Sequence, residues 1–162
     1  MKRRILLIFI LFLVVFACRE TITHPGDELL QTGADTLSSM ITYDVVIKNP
    51  DAEDVWMTEC LKDLKREELI DIIFEGIYNE KLTAYDIFED NKISPSKLRK
   101  MEDEGLINRE QIGKFQFVEA WFFDKVNMTM TKRVIEIRLG TESFSSDGIM
   151  VGYEPLLKVS LN

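Results

Sequence analysis

Cys18 is the residue whose surroundings define a chemistry most sharply. It follows a basic start, Met1-Lys2-Arg3-Arg4, an unbroken apolar run from Ile5 to Phe16, and the small residue Ala17. That order is the layout of a bacterial lipoprotein signal peptide occupying residues 1–17. A run of about 12 apolar residues fits a signal core and falls short of the ~20 that a helix needs to span the hydrocarbon layer. Cleavage after Ala17 makes Cys18 the new N-terminus. Its thiol then carries a diacylglycerol and its amine a further acyl chain such as palmitate. Each buried methylene contributes about 0.8 kcal/mol, so several chains together hold a protein to a bilayer. Phe16 and Val15 depart from the usual residues before the cut. An ordinary secretory signal and an uncleaved anchor therefore stay open as alternatives. Arg19 stands where an inner-membrane retention signal would place Asp, which points to the outer membrane, with the periplasmic face the expected side.

The remaining reactive residues are sparse. Cys60 is the only other cysteine, so lipidation of Cys18 rules out an intramolecular disulfide, and its apolar neighbours predict a small buried hydrophobe. His24 is the only histidine and lies in the turn-like Thr23-His24-Pro25-Gly26, which leaves no His-cluster metal site and makes no case for a Ser-His-Asp or Cys-His mechanism. Asp86, Glu89, Asp90 and Asn91 form an acidic knot, but they lack the spacing and glycine of an EF-hand loop. Glu142 to Asp147 forms a second acidic stretch, expected to be a plain turn. Whether either stretch takes a cation is not legible from spacing. No phosphate-cradling glycine loop, no GxSxG and no metal-ligand run is present, and the sequence predicts no cofactor. The dense aromatic stretch Phe115–Phe123 reads first as core. Its end supplies a candidate contact surface: Trp121, Phe123, Asp124 and Lys125, then Met128 and Met130 at an apolar hairpin tip.

Composition bounds the partners. Removing residues 1–17 from the 162 leaves 145, one domain's worth. Loss of Lys2, Arg3 and Arg4 takes the 20 basic residues to 17 against 28 acidic, a net charge near −11. Such a surface avoids nucleic acid and repels anionic lipid heads; it suits basic or neutral proteins, or divalent cations.

The elements follow from periodicity. Residues 18–40 are polar and rich in turn residues, and read as a flexible tether. Ile41, Tyr43, Val45 and Ile47 alternate as a half-buried strand, ended by Asn49-Pro50-Asp51. Trp56, Cys60 and Leu64 share helical spacing, favouring a helix over 55–64, although Val55-Trp56-Met57 could enter a strand. Leu69, Ile70, Ile73, Phe74 and Ile77 form an apolar stripe on a helix over 66–78, with Gly76 placed to admit a close neighbour. Ser94-Pro95 starts another helix and Gly105 stops it, with Leu106 expected to pack back. Asn108 to Gln111 has the spacing for a further short turn. Phe115–Phe123 is apolar on both alternating sets, as in a central strand covered on both sides, with Glu119 in need of a partner. Arg133–Leu139 alternates and pairs with it through a hairpin over 124–130. Two further strands are expected, 149–153 and 156–161. The predicted fold is α+β: helices in the N-terminal half, then a mostly antiparallel sheet, in a single domain over 41–162.

Two segments in order carry a resemblance. One is Leu69-Ile70-Asp71-Ile72-Ile73-Phe74-Glu75-Gly76-Ile77, followed by Lys81-Leu82-Thr83-Ala84-Tyr85-Asp86. The other is Glu119-Ala120-Trp121-Phe122-Phe123-Asp124-Lys125, followed by Arg133-Val134-Ile135-Glu136-Ile137, with Gly152-Tyr153-Glu154-Pro155-Leu156-Leu157 beyond. Over about residues 41–162 the chain resembles the GldN/PorN gliding-motility family of Bacteroidetes. The resemblance implies a non-enzymatic, periplasmic part of the type IX secretion machinery that assembles with a lipoprotein partner beneath the outer membrane. The chain differs from that pattern in being shorter, in matching poorly around Trp56, and in carrying its own lipidation signal, so a divergent relative is expected. Its partners would be other cell-envelope proteins, secretion-ring lipoproteins among them, and the bilayer through Cys18. Two readings from other classes stay open: a ligand-binding envelope lipoprotein with an aromatic cleft near Trp121, and a carboxylate-dependent hydrolase.

Overall fold

A computed structural model describes residues 35–161; the signal segment, Cys18 and His24 lie outside them. One antiparallel sheet of six strands organises the described residues. The strands are β1 (Asp35–Val46), β2 (Thr83–Tyr85), β3 (Lys92–Ile93), β4 (Ile112–Asp124), β5 (Thr129–Phe144) and β6 (Met150–Ser160), in the spatial order β1-β4-β5-β6-β2-β3. Among the described residues three α-helices precede β4: α1 (Val55–Leu61), α2 (Arg66–Tyr78) and α3 (Pro95–Asp103), with a 3-10 turn at Arg109–Gln111. The fold is α+β, with its helices ahead of the main meander.

The core lies between α2, α3 and one face of the sheet. Ile70, Ile73, Phe74 and Ile77 of α2 meet Leu98 of α3, Phe115 of β4, Ile137 and Leu139 of β5, and Leu157 and Val159 of β6. The 3.6-residue stripe read from the sequence is the face that α2 buries. Gly76 is where Leu82 crosses this helix: a Cβ there would lie 2.7 Å from Leu82 Cδ1. The Ser94 side chain caps α3 by accepting from the Lys97 N–H at 3.2 Å. Gly105, at φ +71°, closes α3 in a Schellman motif, with its N–H donating to the Glu102 carbonyl and the Leu106 N–H to that of Met101. Leu106 does not pack back; it is 65% exposed, and Ile107 takes the buried place. Two arginines join these parts. Arg66 donates to the carbonyls of Arg109, Glu110 and Ile112. Arg109 bonds Glu102 and Asp71 and lies 4.3 Å over the Phe74 ring.

Several expectations need correction. β1 begins at Asp35, so 35–40 belong to the sheet and not to a tether. Residues 149–161 hold one strand: β6 passes through Pro155 on a bulge, because Leu139 faces Leu157 and Gly140 faces Pro155. The acidic stretch from Glu142 starts within β5, and only 145–149 turn. Cys60 is exposed. It lies on α1, which buries none of its residues, so the stripe of Trp56, Cys60 and Leu64 faces outward. Of the helix expected over 55–64 only Val55–Leu61 forms, and α2 fills the core position.

Candidate functional site

β4 carries most of the polar chemistry because it is the inner strand between β1 and β5. Its Glu119 is only 5% exposed, yet both carboxylate oxygens are used. Tyr43 OH of β1 donates to Oε1 at 2.7 Å, and Trp121 Nε1 to Oε2 at 2.8 Å. The Lys132 ammonium lies 4.4 Å over the Trp121 ring. Burial pushes the Glu119 carboxyl up, but the two hydrogen bonds and the Lys132 charge outweigh it and hold the group below the ordinary carboxylate range. The bond to Glu119, then burial, raises the Tyr43 phenol. The sequence marked Glu119 as needing a partner; Tyr43 and Trp121 supply it.

A second buried acid, Glu142, went unmarked. It forms an ion pair with Lys48, in the segment that leads from β1 to α1. The Tyr153 ring crosses Gly113 beside it: a Cβ on Gly113 would meet Tyr153 Cε1 at 2.8 Å and Glu142 Cγ at 3.1 Å. The Tyr153 hydroxyl is buried without a hydrogen-bond partner, and burial, followed by the Glu142 charge, raises its pKa. Glu142 and Tyr153 face each other directly across β5 and β6, and the register shift at Gly113, between Ile112 facing Thr141 and Lys114 facing Gly140, sets the glycine beside the pair.

Along the face that carries Lys114, Asp44, Gln116, Arg138 and Lys158 stand opposite one another on four successive strands. Gln116 donates to Asp44 at 2.7 Å, Arg138 donates to Gln116 at 3.0 Å, and Lys114 bonds Asp44 at 2.9 Å. A depression of about 240 Å³ opens here between Ile87, Lys114, Arg138, Tyr153 and Pro155. Its charged groups are engaged by neighbours, Lys114 by Asp44, Arg138 by Glu136 and Gln116, and Glu154 by Ser143, and it is not at Trp121, where an aromatic cleft is expected from the sequence. The two buried carboxylates do not converge either. Gly113, beside Glu142, is six residues from Glu119 along β4, about 20 Å at strand rise, whereas a glycosidase-type pair stands within about 10 Å. The acidic knot is spent on its own loop: Asp86 accepts from the N–H groups of Phe88 and Glu89, Asn91 donates to Glu89, and Asp90 pairs with Lys158. Among the described residues no group of three or more His, Cys, Asp or Glu is placed to hold a metal ion.

The residues singled out at the hairpin do gather at one end of the sheet. Asp124 accepts from the N–H groups of Val126 and Asn127 and from the Asn127 side chain, which closes the turn. Lys125 pairs with Asp35 at the start of β1. Phe123 stands between Asp35 and Met130 and is half-buried, as is Trp121. Met128, at φ +53°, is 74% exposed, Val126 is 90% exposed, and Met130 is exposed as well.

These features define an α+β sheet domain whose buried charges serve architecture and whose spare apolar side chains lie at its ends. Residues 51–160 match the family model of the gliding motility associated protein GldN, and the chain belongs to that family. The matched span runs from the turn before α1 through β6 and leaves β1 outside. No curated protein matches the chain. Among the described residues no helix is long and apolar enough to cross a membrane.

Proposed function

We propose that this protein is a lipid-anchored, non-enzymatic component of the type IX secretion and gliding machinery, held to the outer membrane through Cys18 on its periplasmic face and working by contact with other envelope proteins. Membership of the GldN family carries the reading. The side-chain chemistry supports it: Glu119, Glu142, Arg66 and Arg109 are engaged within the chain, while apolar residues are left exposed at both ends of the sheet. One contact surface is the hairpin end with Trp121, Phe123, Asp124, Lys125, Met128 and Met130. The other is α1, where Trp56 is 73% exposed and where an aromatic anchor would meet a protein partner.

The test is a crosslinked pull-down from membranes of the native host, run beside palmitate labelling of wild type and Cys18→Ala. Recovery of secretion or gliding components and label lost only from the variant are expected. Recovery of none of those components would overturn the assignment to the machinery, and equal labelling would overturn the anchor.

A further inference from the structure

The end of the sheet nearest the anchor has its own chemistry. β1 starts at Asp35, which faces Phe123 and pairs with Lys125, so the chain enters the fold beside the β4–β5 turn. Cys18 lies 17 residues before Asp35 in sequence, and that length reaches at most about 60 Å when fully extended. At this end Leu37, Val126, Met128 and Met130 are all exposed. Exposed large side chains gathered on a loop tip are what interfacial membrane contacts use, and Met adapts to a fluid surface.

Charge separates this end from the rest. Lys125, Lys132 and Arg133 stand against Asp35, Asp124 and the buried Glu119, a neutral balance. The acid surplus is elsewhere: residues 51–80 hold ten acidic residues against Lys62, Lys65 and Arg66. The net charge of the whole chain would be repelled by lipid heads, but the hairpin end does not carry that surplus. The acidic segment follows the other end of β1, about 40 Å away at strand rise.

We propose that the β4–β5 hairpin end is a lipid-contacting surface that lies against the bilayer holding Cys18, with Val126 and Met128 entering the headgroup–acyl boundary. The proposal rests on the anchor reading and names the partner of the hairpin surface. It fixes the orientation of the domain: hairpin toward the membrane, α1 and its acidic surroundings away from it, toward protein partners.

The test uses the mature chain, residues 18–162, carrying Cys60→Ser and Trp56→Phe, with Cys18 coupled chemically to a maleimide-headgroup lipid in phosphatidylcholine vesicles whose acyl chains are brominated; each reporter is read as its difference from this parent, which keeps Trp121. Because the coupling is chemical, the result does not depend on lipidation in the cell. Val126→Trp reports the hairpin end and Ile149→Trp the loop between β5 and β6; both positions are exposed. A side chain at the boundary sits within about 5–10 Å of the bromines, so the Val126→Trp signal should fall by about half and shift to the blue, with Ile149→Trp unchanged. Equal quenching of the two reporters would overturn the orientation. An unquenched Val126→Trp would overturn the lipid contact and leave the hairpin to a protein.

Discussion

At the scale of single residues, Glu119 sets the clearest wager. It is a buried carboxylate whose two oxygens each accept one hydrogen bond, from Tyr43 and from Trp121. Glu119→Ala removes both acceptors and leaves the partly exposed Tyr43 phenol and Trp121 indole N–H without them, which should cost about 1–3 kcal/mol in a urea titration at pH 7. Glu119→Gln keeps the volume but turns one acceptor into a donor, and should cost about half as much. The pH dependence has a definite sign. Glu119 has a folded-state pKa below its unfolded value of about 4.3. Between those two values the unfolded chain binds more protons, so stability is full above about pH 5 and is lost as pH falls through the folded value. Wild type should therefore lose stability toward pH 3 more steeply than Glu119→Ala, and parallel curves would show that the carboxylate is not held charged. Tyr43→Phe should act in the same direction more weakly, by about 1 kcal/mol, since it removes one of the two donors.

At the scale of elements, α2 and the segment after it show what sequence reveals and what it hides. The apolar stripe of α2, the Ser94-Pro95 start of α3 and the Gly105 stop are local signals with local causes, and each forms where the pattern places it. What failed to show depends on contacts distant in sequence. β2 and β3 are too short for a period to register and exist because Ala84 faces both Ile93 and Val159. Cys60 and Trp56 have the spacing of a buried face, but spacing cannot say whether a partner element is free to cover it. Glu142 and Tyr153 meet because β5 and β6 pair in a register that sets them opposite one another. Gly76 is legible as a close approach, and its neighbour is now specified. Alanine normally gains up to 1 kcal/mol over glycine inside a helix, but here its Cβ would meet Leu82 Cδ1 at 2.7 Å and Cγ at 2.9 Å. The segment has little room to retreat, because the N–H groups of Lys81 and Leu82 both donate to the Gly76 carbonyl. Gly76→Ala should therefore destabilise by about 1–2 kcal/mol despite its propensity gain. In a Leu82→Ala background the same change should be neutral or stabilising, and a double-mutant cycle in thermal unfolding reads that change of sign directly.

At the scale of the whole molecule, the sheet separates two kinds of surface. The β1 start and the β4–β5 turn share one end, where charge balances and apolar side chains protrude. The other end carries the loop to α1 and the turn between β5 and β6, and the acid-rich segment 51–80 starts there before α2 packs over the sheet face. Buried polar groups run between them, and each is engaged by partners within the sheet. Trp56 is 73% exposed on a helix with no buried residue, so it adds little to the packing of the described residues. Trp56→Ser should accordingly change the unfolding free energy by no more than about 0.5 kcal/mol. The same substitution should abolish gliding or secretion when it replaces the wild-type copy in the native host, because hot-spot aromatics carry a disproportionate share of interface energy. The pair of measurements separates the possibilities. A loss above about 1 kcal/mol would place Trp56 in intramolecular packing. Full function with unchanged stability would move the protein contact off α1 altogether. Lost function with unchanged stability is the result that the division of labour between the two ends of the sheet requires.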